Sequence, residues 1–181
     1  MSTQLRIGVL YDASWLMDSS KQDWDEIPFS RLRGKPIETK RFLAKEVAEE
    51  ISKHFDSGDA ARAETARLRY AELLKHGATE TSVRDFEPAP ADEHLGSDTP
   101  LERRLLGCAE AMADRDEYLA VVIFTRDGGV YLDAVKLRQR SSANVFCVYD
   151  LQSAQDVQAE IYRLAESHKD LLTGMGDWLG A

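Results

Sequence analysis

Three short, continuous apolar runs punctuate the chain: Ile7-Gly8-Val9-Leu10-Tyr11, Tyr118 to Phe124, and Val145 to Tyr149. They are rich in Val, Ile and aromatics, and none alternates with polar residues. Such runs predict strands buried on both faces, the mark of a parallel sheet between helices. Between them the apolar period changes to three and four. Ala44, Val47, Ala48, Ile51 and Phe55 form one stripe, and Leu101, Leu105, Cys108 and Met112 form another. Asp59 to Lys75 lacks Gly and Pro and stops at His76-Gly77, which predicts a helix with a glycine terminator. A short helix is predicted over Asp133 to Arg140, after the Gly128-Gly129 turn. A C-terminal helix is predicted over Gln152 to Leu172, with Val157, Ile161, Leu164 and Ala165 on one side. This alternation predicts a three-layer α/β/α fold around a mainly parallel sheet, with right-handed crossovers.

Two stretches carry no clear period. Asp18 to Lys40, with Trp24, Pro28, Phe29 and Pro36, predicts a short helix or loop. Gly77 to Pro100 holds six acids (Glu80, Asp85, Glu87, Asp92, Glu93, Asp98) against Arg84 alone. Loops of that length are usually functional or disordered. The 181 residues fit one domain, 1–181, with 56–99 as an insertion of helix plus acidic loop.

Charge narrows the choice of partners. Lys+Arg is 23 and Asp+Glu 32, a net charge of −9, which excludes a uniformly basic nucleic-acid or membrane binder. A local basic groove, or a carboxylate cluster built to hold a cation, stays compatible. No stretch approaches the ~18 apolar residues of a membrane span, and the N-terminus has no secretory pattern. Cys108 and Cys147 show no CxxC spacing and read as buried thiols in a reducing cytoplasm. Two distant Cys and four scattered His (His54, His76, His94, His168) do not suggest a zinc site.

Asp12 and Asp127 each follow a buried run, at or near its end. If those strands are neighbours, both carboxylates project from the sheet edge where open α/β folds bind ligands. Two carboxylates held close together repel unless a proton or cation lies between them, and Mg²⁺ or Mn²⁺ is the natural occupant. The competing explanation is that each Asp caps a helix or makes a turn.

Four segments taken in order resemble PIN-domain nucleases. Val9-Leu10-Tyr11-Asp12-Ala13-Ser14-Trp15-Leu16-Met17 is similar to the family's opening strand and acid. Arg41 to Ile51 resembles its second element, a strand leading into a helix. Glu102-Arg103-Arg104-Leu105-Leu106-Gly107-Cys108-Ala109 resembles its third, and Val121 to Ala134, centred on Thr125-Arg126-Asp127, its fourth. The likeness covers roughly residues 6 to 150. It implies an acidic, metal-holding and catalytic cluster at Asp12, Glu50, Glu102 and Asp127, supported by Ser14 and Thr125. Ala13-Ser14 replaces the commoner Thr-Asn, Ala44 stands where proline is frequent, Glu102 replaces an Asp, and Val130 stands where another acid often follows.

Each acid has a second explanation. Glu50 neighbours Glu46 and Glu49 and could belong to a solvated helix face. Thr99-Pro100-Leu101-Glu102 reads as a capping box, in which case Asp98 is the substitute ligand.

The resemblance implies metal-dependent ribonuclease activity, in which metal-activated water cleaves the phosphodiester. Arg31, Arg33, Lys35, Lys40 and Arg41, with Lys136, Arg138 and Arg140, are the candidate RNA-binding residues expected to flank the cluster. Weak, salt-sensitive, metal-dependent affinity is expected from the net charge. The alternative is a catalytically weak PIN-like module that binds RNA or protein, and a homodimer or protein partner stays open, as does a toxin or an RNA-processing role. A haloacid dehalogenase-like phosphatase needs a second Asp where Ser14 stands. A receiver domain needs an early acid pair and a late Lys that are missing from their usual context.

Overall fold

The computed structural model describes residues 4–18, 24–86 and 100–179, with side chains described to residue 168 in the last helix. Five strands form one all-parallel sheet: β1 (Leu5–Tyr11), β2 (Ile37–Ala44), β3 (Thr79–Thr81), β4 (Tyr118–Phe124) and β5 (Val145–Val148), in the order β3-β2-β1-β4-β5. The helices are α1 (Ala13–Met17), α2 (Lys45–Lys53), α3 (Ala60–Lys75), α4 (Leu101–Ala113), α5 (Gly128–Arg140) and α6 (Leu151–Leu179). A 3-10 helix spans Ile27–Leu32. The expected three-layer α/β/α architecture is the one observed, and the sheet is wholly parallel. Among the described residues no helix is long and apolar enough to cross a membrane.

The apolar runs form the central strands because both of their faces are covered. In register, Val9 pairs with Val122 and Tyr11 with Phe124. The Tyr11 and Phe124 rings stack at 5.3 Å, and Trp15 and Phe29 pack on Phe124 at 5.0 and 6.2 Å. On the other face α4 approaches β1 closely. A Cβ at Gly8 would lie 2.7 Å from Met112 Cε, so the glycine makes room for that contact. Cys108 and Cys147 are both buried free thiols.

Three elements depart from the expectations. The stretch expected as a short helix or loop contains the 3-10 helix and the first half of β2. The acidic stretch contains β3 before the described residues stop at 86. Helix α5 starts at Gly128, five residues before Asp133. Asp127 Oδ1 accepts from the Gly129 N–H at 2.8 Å, and this cap offsets the poor helix propensity of two glycines. At the last helix, Asp150 Oδ1 accepts from the Ser153 N–H at 2.7 Å. Buried Ala154, Val157, Ile161 and Ala165 then seat α6 on the sheet.

The strand order sets the site. From β1 the chain steps to β2 and β3 on one side, then returns past β1 to β4 and β5 on the other. The direction reverses between β1 and β4. Their carboxyl ends, Tyr11 and Phe124, open the crevice where such sheets bind ligands.

Candidate active site

Asp12 stands at that crevice. Its N–H donates to Phe124 O at 2.8 Å, which continues the β1–β4 pairing one residue past the strand. It is only 3% exposed. Oδ1 accepts from the Ala13 N–H at 2.8 Å, capping α1; Oδ2 accepts from the Ser14 hydroxyl at 2.6 Å and the Thr125 hydroxyl at 2.9 Å. Those hydroxyls are fixed in turn. Ser14 Oγ accepts from the Arg126 N–H at 3.0 Å, and Thr125 Oγ1 from the Asp127 N–H at 3.1 Å. Burial pushes the Asp12 pKa up; the three hydrogen bonds oppose that shift, and the charge of Asp127 adds to it.

The other expected acids stand around the same opening. Glu102 lies in the first turn of α4, half-buried; Pro100 is the N-cap and donates no side-chain cap. Burial raises the Glu102 pKa, and the charges of Asp12, Glu50 and Asp127 raise it further. Glu50 projects from α2 with Lys53 Nζ 3.6 Å away. Its neighbour Glu46 points elsewhere, accepting from the Ser82 hydroxyl at 2.5 Å and the Val83 N–H at 3.2 Å. Asp127 is exposed at the start of α5. Asp98, and the Thr99 of the expected capping box, lie outside the described residues.

A cleft of 460 Å³, which Asp127 does not line, is lined by Asp12, Ser14, Glu50 and Glu102 together with Asp18, His54, Asp59, Arg62 and Arg126. The last five were not singled out from the sequence. Arg126 lies inside the Thr125-Arg126-Asp127 motif, so its position was legible and its direction was not. Asp59 and Arg62 face the cleft only because α3 packs beside α1 and α2, which no local pattern announces. Hard carboxylate oxygens of this kind suit Mg²⁺ or Mn²⁺. Their present arrangement is not a closed ligand set: among the described residues no group of three or more His, Cys, Asp or Glu could hold a metal ion.

The expected RNA-binding residues do not line this cleft. Helix α5 runs from the carboxyl edge back toward the start of β5, so Arg140 lies about 20 Å along its axis from Asp127. Lys136 and Arg138 precede it on the last turns, and Arg138 sits over the Phe146 ring at 4.3 Å, 3.9 Å from Glu160. Arg33 and Lys35 occupy the turn that enters β2, at the amino edge of the sheet. Lys35 pairs with Glu166, and Arg31 stacks over Tyr162 at 4.0 Å. Lys40 lies over the Phe42 ring at 5.3 Å. Arg41 donates to the Tyr11 hydroxyl and, at 2.8 Å, to Glu26. The topology therefore separates most of these cations from Asp12 along the strand direction, and packing engages several of them internally.

No family model matches the chain, and no curated protein matches it.

Proposed function

We propose that this protein is a metal-dependent ribonuclease, with Mg²⁺ or Mn²⁺ held by Asp12, Glu50, Glu102 and Asp127. The observation that carries the proposal is the setting of Asp12. It is a buried carboxylate at the reversal point of a parallel sheet, braced by two hydroxyls and open to a cleft that Glu50 and Glu102 also line, with the charge of Asp127 acting on it. Such a cluster is self-repulsive without a cation, and a divalent ion among the carboxylates adds attractions that offset that repulsion. When bound, that ion lowers the pKa of water and neutralises charge on phosphoryl oxygens. The side chains do the positioning. Ser14 and Thr125 hold the Asp12 carboxylate in one orientation, and the Ser14 hydroxyl is itself held between Oδ2 and the Arg126 N–H, which suits a bracing role. In this reading water is the attacking group. The buried thiols fit a reducing cytoplasm.

The test is cleavage of a structured and an unstructured RNA with Mn²⁺ or Mg²⁺. Asp12→Asn and Asp127→Asn are each expected to lower the rate by at least about a hundredfold, as losses of a preorganised charge do. Activity that survives both substitutions overturns the mechanism. A second reading, a PIN-like module that binds RNA or protein and cleaves poorly, is favoured by the open spacing of the acids. Calorimetric titration with Mn²⁺ separates the two, since that reading expects no saturable binding lost in Asp12→Asn.

A further inference from the structure

Five acids in the cleft (Asp12, Asp18, Glu50, Asp59, Glu102) face two arginines, Arg62 and Arg126. Arg126 is already engaged: its Nε lies 2.9 Å from Asp18 Oδ2, and its guanidinium also donates to Tyr149 O. Arg62 is exposed and makes no ion pair among the described residues.

Its direction is set by the helix that carries it. Arg62 and Arg69 are seven positions apart on α3, two turns, and share one face. Arg69 Nη1 donates to Trp15 O, Leu16 O and Asp18 O at 3.1, 3.0 and 3.1 Å, so this face looks onto α1. Buried Ala63, Ala66 and Tyr70 hold α3 in place. Two turns before Arg69, the same face reaches the cleft mouth. Arg67, by contrast, turns away and is bound to Glu64 at 2.7 and 3.0 Å.

Resting on the ribonuclease reading, we infer that Arg62 holds a backbone phosphate of single-stranded RNA beside the carboxylates. A polyanion entering an acidic cleft needs a cation there, and a guanidinium binds two phosphate oxygens at once. A volume of 460 Å³ is on the scale of a small ligand such as one nucleotide, which favours a single strand over a duplex. Arg62 is a substrate-holding residue on α3, and it acts on binding, not on bond cleavage.

The experiment measures fluorescein-labelled oligouridylate binding in the cleavage-deficient Asp12→Asn protein, with and without Mg²⁺, over a series of salt concentrations. A duplex of the same length is the comparison. Added Arg62→Ala is expected to weaken single-strand binding by about tenfold and to reduce the salt slope by about one phosphate's share. Arg62→Lys should recover part of the loss, and Arg67→Ala should change neither quantity. In the otherwise native protein, Arg62→Ala should raise KM and spare kcat. Unchanged affinity, an equal effect from Arg67→Ala, a fall in kcat alone, or duplex bound as tightly as single strand overturns the inference. If the native protein cleaves no RNA, the ribonuclease reading fails, while the binding comparison still decides the role of Arg62. If the oligonucleotide does not bind at all, the role of Arg62 fails, and the ribonuclease reading fails with it only where the native protein also cleaves no RNA. Thermal melts confirm that each variant is folded.

Discussion

Burial raises the pKa of Asp12 even though hydrogen bonds from Ser14, Thr125 and Ala13 pull it the other way. Without a cation, the folded chain therefore holds this charge at a cost the unfolded chain does not bear. The unfolded aspartate loses its proton first as pH rises. The contribution of this residue to stability is fully present below the ordinary aspartate pKa and is lost as pH rises through the raised folded value. Asp12→Asn should consequently raise Tm in EDTA at pH 7, by about 2–4 °C for each kcal/mol relieved. The difference should vanish as pH falls below the ordinary aspartate value. Mn²⁺ should raise the Tm of the native protein more than that of the variant. A Tm that drops on substitution at pH 7 in EDTA would mean the hydrogen bonds outweigh the desolvation. At this scale much of the site was legible. A run that is apolar on both faces and then ends in an acid exposes its strand terminus in the sequence itself. Asp12 with Ser14, and Thr125 with Asp127, could be read that way. Arg62 could not, because its relation to Asp12 exists only once α3 docks on α1.

That docking rests on few contacts of high consequence. Arg69, mostly buried, satisfies carbonyls at the end of α1 and lies 3.6 Å from Asp25, which in turn accepts from the Trp15 indole N–H at 2.6 Å. Helix α1 has only five residues, too few to hold itself, yet it carries Ser14 and is capped by Asp12. Arg69→Met keeps the bulk and removes the donors. It should cost about 2–3 kcal/mol in urea unfolding, the loss of charge-assisted hydrogen bonds, and should lower cleavage in the fraction that stays folded. Stability within 0.5 kcal/mol of native would mean that α1 is held by its apolar contacts alone, since about that much is noise for an unimportant surface change. The elements themselves were unevenly legible. Strands β1, β4 and β5 are apolar because helices cover them. Strand β2 reads Ile-Glu-Thr-Lys-Arg-Phe-Leu-Ala, and only Phe42, Leu43 and Ala44 pair with β3. Its first half has β1 on one side only, so charge is tolerated there, and Glu38 bonds to Arg6 at 3.0 Å. Strand β3 is Thr-Glu-Thr and carries no hydrophobic signal at all. Helix α5 began earlier than its apolar period because a cap, not periodicity, determines its first turn.

The molecule as a whole carries −9, and the fold decides where its positive charge is available. Arg31, Lys35 and Arg138, expected to meet RNA, help clamp α6 through Tyr162, Glu166 and Glu160. Among the described residues that line the cleft, Arg62 and Arg126 are the Lys or Arg side chains; Arg126 is already paired, and Lys53 pairs with Glu50 from beside the lining. Each phosphate neutralised on a single strand contributes a slope of about −0.7 to log K against log salt. One or two such contacts give a total slope of about −0.7 to −1.4, shallow for a nucleic-acid-binding protein. Affinity is then expected to depend far more on the divalent ion than on monovalent salt, because the ion offsets two of the five negative charges that line the cleft. Fluorescence anisotropy of Asp12→Glu with short single-stranded RNA, titrated with KCl at fixed Mg²⁺ and again in EDTA, measures both dependences while keeping a carboxylate at position 12. The double change Arg31→Glu, Lys35→Glu supplies the contrast. It should lower Tm by loosening α6 and leave the affinity per folded molecule and its slope unchanged. A slope several times steeper than −1.4, flattened by that double change, would return the RNA to the amino edge of the sheet and away from Asp12.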